Sequence, residues 1–143
     1  MSEIVHLKKL AVGAENISSL ESWQQGGCML LARQMGYSVP FHRTRQMPKR
    51  ADDIRKGGSL FWIIKRRIVV RQPIIELNAV DHEGQKFCDI LLDPKLVLVT
   101  PRHHRPFQGW RYLQSKDVPS DIPVSQTNAP AGLLSELEDL GLL

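Results

Sequence analysis

The stretch SLFWIIKRRIVVRQPIIEL, residues 59–77, decides the fold. It is rich in β-branched and aromatic residues and divides into two apolar runs, residues 59–65 and 67–77, with Arg66 near the turn between them. The two runs predict the strands of a hairpin. Pro73 lies inside the second run and offers no backbone N–H, so we expect an edge strand, a bulge or a bend at that point.

Two helices are predicted before this hairpin. Residues 47–54 favour a short helix with Pro48 in its first turn, and the Gly57-Gly58 pair ends it. A longer helix is predicted to start at a capping box, with Ser18 as N-cap and Glu21 three residues later, and to run toward Met35. Its pattern is interrupted by two glycines, residues 26–27, and Gly36 is in position to cap its C-terminus.

Further strands are predicted on both sides of the hairpin, over residues 3–12, 86–92, 96–100 and 108–113. Residues 116–130 are rich in Pro, Ser and Asp and predict a loop, and residues 131–141 predict an acidic helix with leucines on one face. Five or six short strands with small helices between them predict an α+β fold, built as a small β-barrel or as a strongly twisted mixed sheet. We expect residues 1–143 to form a single domain.

The bulk composition is that of a soluble globular protein. Of the 143 residues, 42% are hydrophobic and 24% are charged, which is enough to bury a core. The N-terminal residues do not have the pattern of a signal peptide, and no apolar run approaches the roughly 20 residues that span a bilayer. We therefore expect a cytoplasmic protein with no membrane partner, in which Cys28 and Cys88 are buried free thiols.

Positive charge is concentrated in residues 42–71. Ten Lys and Arg against two acids give this stretch a charge of +8, while the whole chain carries only +4. Such an uneven distribution predicts a polyanionic partner. The neighbouring Phe61 and Trp62 are predicted to be core residues if both faces of their strand are covered, and one of them is a stacking surface for a base if they are not.

Four segments carry a resemblance to known families: residues 44–65 (TRQMPKRADDIRKGGSLFWIIK), the Arg71-Gln72 pair, residues 107–113 (FQGWRYL) and residues 140–143 (LGLL). Together they resemble a family of short proteobacterial proteins with a domain of unknown function, over nearly the whole chain. The order of the short helix, the Gly57-Gly58 pair and the two apolar strands is also similar to PUA-like barrels of the ASCH and EVE type. That second resemblance implies a PUA-like barrel that binds RNA or modified bases.

The predicted function is an RNA-binding or other nucleic-acid-binding module. We expect one group of residues, all cations, to hold phosphates, and a second, mixed group to contact a base or nucleotide. The first group consists of Arg45, Lys49, Arg50, Lys65 and Arg71, and the second of Arg105, Gln108, Trp110 and Arg111. A solvated basic face is the alternative interpretation.

The sequence predicts no catalytic residue, metal site or cofactor. It contains no GxSxG, P-loop or GxGxxG motif, and its histidines are not spaced as metal ligands. Two other functions stay open. One is an enzyme acting on RNA or a nucleotide-like molecule, with His103 and His104, or Asp52 and Asp53, as acid and base. The other is a protein-interaction module, in which the helix of residues 131–141 docks a partner or a second subunit. For the protein itself we expect a monomer or weak homodimer.

Overall fold

The computed structural model describes residues 4–122, which contain a mixed sheet, two helices and a 3₁₀ turn, Ser115–Asp117. The long helix runs as Ile17–Trp23, a π-helical turn Gln24–Cys28 and Met29–Gln34, and the short helix is Ala51–Arg55. The strands are β1 (Val5–Leu10), β2 (Phe41–Thr44), β3 (Ser59–Ile64), β4 (Arg67–His82), β5 (Gln85–Leu92), β6 (Val97–His103) and β7 (Trp110–Gln114).

The strand order in the sheet is β2-β5-β4-β3-β1-β7, and β6 pairs with β4 off this path. The β1–β3 pair is parallel and the other pairs are antiparallel, which confirms the α+β class and the mixed sheet. The alternative of a barrel is not confirmed, because the sheet formed by residues 4–122 is not closed. The inserted helices are also not all short, since the long helix has 18 residues.

The hairpin of β3 and β4 confirms the prediction from residues 59–77. Its turn consists of Lys65 and Arg66 alone, and both have positive φ, 51° and 63°. Positive φ at both central residues is the geometry that matches the twist of the flanking strands, although Asn-Gly is the usual pair there. In β4, Pro73 lies where the pairing changes from β6 to β5, and the register shifts just beyond it, between Ile74 and Glu76. The expected irregularity is therefore a bulge in a central strand.

Both faces of β3 are covered, so its two aromatic side chains are core residues. Phe61 is 1% exposed and packs in one hydrophobic cluster with Ile63 and Val99, while Trp62 is 3% exposed and belongs to the other cluster. Neighbouring residues of a strand point to opposite faces, and two covered faces bury both of them. The core interpretation is confirmed, and the stacking role is excluded for this pair.

The long helix starts two residues earlier than predicted. Asn16 is the N-cap, and its side chain accepts a hydrogen bond from the Ser19 N–H at 2.8 Å, while the Ser19 hydroxyl accepts from the Asn16 N–H. The earlier start places Ile17 in the helix, where it is buried. Two glycines do not break the helix but lie in its π-helical turn, and Gly36, with φ of 84°, caps the C-terminus as predicted.

A buried polar network joins the long helix to the sheet. Gln24 and Gln72 exchange two hydrogen bonds of 2.7 Å, and the Trp62 indole N–H donates to Gln72 Oε1 at 2.8 Å. The Gln72 amide also donates to the Asp93 carbonyl at 3.0 Å. Each of these groups is therefore paired in a region from which water is excluded.

Cys28 and Cys88 are free and buried, as the sequence predicts. Burial raises the pKa of the Cys88 thiol to about 11. In residues 4–122, no helix has the length and apolar character needed to cross a bilayer. The predicted helix of residues 131–141 and the loop beyond residue 122 lie outside the described residues.

Candidate nucleic-acid interface

Side chains of β7, one end strand of the sheet, form hydrogen bonds with the backbone of the segment that follows β2, the other end strand. The Trp110 indole N–H donates to the Gln46 carbonyl at 3.0 Å, and the Arg50 backbone N–H donates to the Tyr112 hydroxyl at 3.2 Å. The segment that follows β2 therefore lies against β7. We call this junction the seam.

A cleft of about 620 Å³ opens at the seam, and we call it the seam cleft. Its lining combines cations, amides and aromatic rings: Lys9, Arg43, Thr44, Arg45, Gln46, Phe87, Gln108, Gly109 and Trp110. None of these lining residues is acidic. A smaller cavity of about 450 Å³ shares Arg45, Gln46 and Phe87 with the seam cleft and continues toward Lys86 and Asp81. The seam cleft thus offers positive charge and flat apolar surface to the same ligand.

Lys9 reaches the seam cleft because of the alternation of β1. Val5 and Leu7 point into the core, so Lys9 lies on the same face at the end of the strand, where Trp110 is its partner in the β1–β7 register. Partial burial lowers the pKa of Lys9. A bound anion would offset that desolvation by pairing with the ammonium group.

Arg43 is held by a buried carboxylate. Its guanidinium donates to both oxygens of Asp89, at 2.7 and 2.9 Å, and the Tyr37 hydroxyl donates to the same carboxylate at 2.7 Å. Asp89 is fully buried, and the hydrogen bond to it raises the pKa of Arg43. The guanidinium also lies 5.5 Å from the centre of the Phe87 ring. Because Asp89 neutralises Arg43, the charge available to an anion comes chiefly from Lys9 and Arg45.

Trp110 is the aromatic residue of the seam cleft that lies directly at the seam. Its ring is half-buried and meets Tyr112 edge to face, with 5.0 Å between the centroids. The bond from its indole nitrogen to Gln46 fixes the plane of the ring. Gly109 precedes it with φ of 71°, a conformation that favours glycine, and so permits the turn into β7. The ring is therefore held in one orientation, packed against the main hydrophobic cluster and bordering the seam cleft.

Three of the predicted site residues lie together in the seam cleft: Arg45, Gln108 and Trp110. Two more, Lys49 and Arg50, follow on the chain at the short helix. The Arg50 guanidinium is already paired with Asp53 at 3.1 Å. Lys9, Phe87 and Gln46 were not predicted, and only Lys9 had a usable signal, its place in the alternating pattern of the first strand.

The other predicted residues lie elsewhere. Arg71 forms two hydrogen bonds of 2.8 Å with Asp121 and a third with the Ser59 hydroxyl, so its role is to join β4 to the chain beyond β7. Lys65 is in the β3–β4 turn. Arg111 pairs in register with Lys8 and lies 5.1 Å from the centre of the Phe107 ring, on the opposite face of β7 from Trp110.

The Arg105 backbone carbonyl lies 2.8 Å from Nδ1 of His104, whose ring lines a second cleft together with Lys8, the register partner of Arg111. The predicted base-contacting group is therefore divided between two faces of the β1–β7 ladder.

Of the residues considered for catalysis, the two aspartates have structural partners, whereas His103 and His104 line a different cleft. Asp52 pairs with Arg55 at 3.0 Å, and Asp53 pairs with Arg50 and with Lys56. Within residues 4–122, no three His, Cys, Asp or Glu side chains come together as a metal site would require. The residues that line the seam cleft include no histidine and no carboxylate.

A family model described as "Protein of unknown function (DUF1489)" matches residues 7–143, which is nearly the whole chain. No curated protein and no solved structure matches the chain, so the similarity to PUA-like barrels has no support beyond the sequence order that suggested it.

Proposed function

The chain belongs to the family of proteins of unknown function (DUF1489), and from its seam cleft we propose that it is an RNA-binding or other nucleic-acid-binding module. The proposal rests on one observation. The cations Lys9 and Arg45 and the aromatic rings of Trp110 and Phe87 line one cleft whose lining contains no acid. Proteins that bind single-stranded nucleic acids combine these two elements, a positive groove for the backbone and aromatic faces for the bases.

The shape of the seam cleft favours a single strand over a duplex. Duplex DNA is read by a helix or a two-stranded ribbon that enters a groove, whereas the seam is concave. Its volume of about 620 Å³ falls within the range of about 300–1,000 Å³ for sites that enclose a small molecule. One nucleotide of a single strand fits such a site, with its base inside and its neighbours outside.

Five of the lining residues have a role in this proposal. Lys9 and Arg45 contact phosphates, Trp110 stacks on a base, and the amide of Gln108 contacts a base edge. Arg43 is held by Asp89 and positions the wall of the cleft beside Phe87. Two of these four contacts are to phosphates, and stacking on Trp110 accepts any base, so affinity depends on salt and only weakly on sequence.

The test is a salt titration of binding to a fluorescently labelled oligouridylate, with Arg45→Glu as the variant. Losing one phosphate contact lowers the affinity about 5-fold at roughly 0.1 M salt and reduces the salt slope by about 0.7. The matched control is Arg33→Glu, which makes the same charge change at an exposed position of the long helix. Trp110→Ala removes the stacking surface and lowers affinity by about 1–3 kcal/mol.

Equal affinities for Arg45→Glu and Arg33→Glu, at every salt concentration, would exclude the seam cleft as the binding site. A salt-independent affinity of the unmodified protein would exclude the electrostatic mechanism.

A further inference from the structure

A second basic cleft, which we call the far cleft, lies on the other face of the β1–β7 ladder. Lys8 and Lys9 are neighbours on β1 and therefore point to opposite faces, so that Lys9 lines the seam cleft and Lys8 lines the far cleft. The far cleft has a volume of about 550 Å³. Its charged and imidazole groups belong to Lys8, Arg102, His103, His104, Lys116 and Asp117.

The ammonium group of Lys8 is held in a fixed position. It lies 2.7 Å from His104 Nε2, and His104 Nδ1 lies 2.8 Å from the Arg105 carbonyl oxygen. An ammonium group can only donate, so Nε2 accepts and the ring proton is on Nδ1, where it is donated to the carbonyl. One N–H of Lys8 is used in this contact, and the ammonium group retains two further donors.

Positive charge in the far cleft exceeds its negative charge. Lys8, Arg102 and Lys116 face a single carboxylate, that of Asp117. Burial, and after it the charges of Arg111 and Arg102, lower the pKa of Lys8, while Asp117 acts in the opposite direction. Arg102 is itself held by a hydrogen bond to the Asp117 carbonyl. Cations gathered in this way repel one another, and an anion placed among them relieves the repulsion.

The β3–β4 turn adds positive charge on the face that carries the far cleft. The His104 N–H donates to the Arg66 carbonyl at 2.8 Å, and Arg67 is the register partner of His103. Lys65 and Arg66, both exposed, therefore lie beside the far cleft. The basic stretch of residues 42–71 thus reaches both faces, with Arg45 at the seam cleft and the turn at the far cleft.

We infer that the far cleft binds the phosphodiester backbone of the same strand whose nucleotide occupies the seam cleft. The inference rests on the proposed function and adds to it a second site and a minimum length. A strand long enough to reach both faces of the β1–β7 ladder contacts both clefts, and a shorter strand occupies the seam cleft alone.

The test compares two labelled oligouridylates, one of about 4 and one of about 16 nucleotides, the range covered by small single-strand-binding modules. The variant is Arg102→Glu with Lys116→Glu. The control is Arg33→Glu with Lys95→Glu, which changes the net charge equally at exposed positions that line neither cleft. For the long strand we expect the variant to lose about 25-fold in affinity at roughly 0.1 M salt, from two phosphate contacts. For the short strand we expect it to match the control.

The double variant also removes the hydrogen bond from Arg102 to the Asp117 backbone carbonyl, which is a structural change. The single variant Lys116→Glu keeps that bond, and we expect its affinity for the long strand to fall about 5-fold. If the double variant binds the long strand as the control does, or loses affinity equally for both lengths, the far cleft is not a second site. The seam cleft fails separately, if Arg45→Glu has no effect on either length.

Discussion

Lowering the pH should destabilise this protein through His42 on β2, a half-buried histidine whose Nε2 atom is fully buried. Its ring packs edge to face against Trp62, with 5.5 Å between the centroids. Among the residues that the structure describes, His42 Nε2 has no hydrogen-bond partner. Burial, and to a smaller extent the charge of Lys9, lowers the pKa of His42 from 6.5 to about 4, although Asp89 acts in the opposite direction.

The size of the effect follows from the difference between the folded and unfolded pKa values. Below pH 6.5 the unfolded chain binds a proton at His42 that the folded protein does not bind until the pH is near 4. Stability is therefore fully present above the unfolded value and is lost as the pH falls through this window. The expected loss is about 2 kcal/mol at about pH 5 and about 3 kcal/mol at about pH 4.

Urea unfolding of the unmodified protein and of His42→Gln, at about pH 7.5 and about pH 5, measures this loss. Glu76 and Asp121 have pKa values lowered by their arginine partners, and they also lose stabilising interactions in acid. They do so in both proteins, so the difference in unfolding free energy between the two isolates His42. That difference should change by about 2 kcal/mol between the two pH values. If the difference in unfolding free energy between the two proteins were the same at both pH values, His42 would not be the cause of the acid destabilisation.

Two further predictions concern the core. Gly58→Ala places a Cβ 2.3 Å and 2.8 Å from backbone carbonyl oxygens and should cost at least about 2 kcal/mol, whereas Gly26→Ala meets no atom within 4 Å and should change stability by less than about 1 kcal/mol. Equal unfolding midpoints for the two variants would contradict this. Gln72→Met leaves the Trp62 indole N–H buried without its acceptor, and we expect a loss of about 2–4 kcal/mol in urea unfolding. A loss below about 1 kcal/mol would show that the network contributes little.

The sequence predicted local structure well where one pattern dominated. Residues 59–77 are rich in the β-branched and aromatic side chains that favour strands. The turn was predicted next to Arg66 because the charged residues at positions 65–67 separate the two apolar runs. The parallel pairing of β1 with β3 was not predictable in the same way. It joins residues more than fifty positions apart, and no local pattern encodes the choice of partner.

The start of the long helix shows how tertiary packing decides between equal local signals. Ser18 with Glu21 fits the capping box, and Asn16 with Ser19 caps the helix equally well by side-chain chemistry. Starting at Ile17 brings that residue into the helix, where it is buried together with Leu20. Burial of two aliphatic side chains outweighs the difference between two caps.

The candidate site was predictable in part, because charge density along a chain does not say where charges are neutralised. Arg71 belongs to the basic stretch, but its charge is matched by Asp121, fifty residues later. Arg43 is matched by Asp89 on the neighbouring strand β5. These pairings depend on tertiary contacts, strand register for Arg43 and the position of the chain beyond β7 for Arg71, which charge counting cannot supply.

Strand alternation also determines which cleft each lysine of β1 lines. Lys8 and Lys9 lie outside the basic stretch and look like a single small cluster in the sequence, yet each supplies an ammonium group to a different cleft. Because the ladder of β1 and β7 separates the two clefts, a short anion meets only one of them. A polyanion long enough to reach both gains the second set of contacts without a second loss of translational freedom. On the proposed function, we therefore expect affinity to depend on the length of the ligand more than on its sequence.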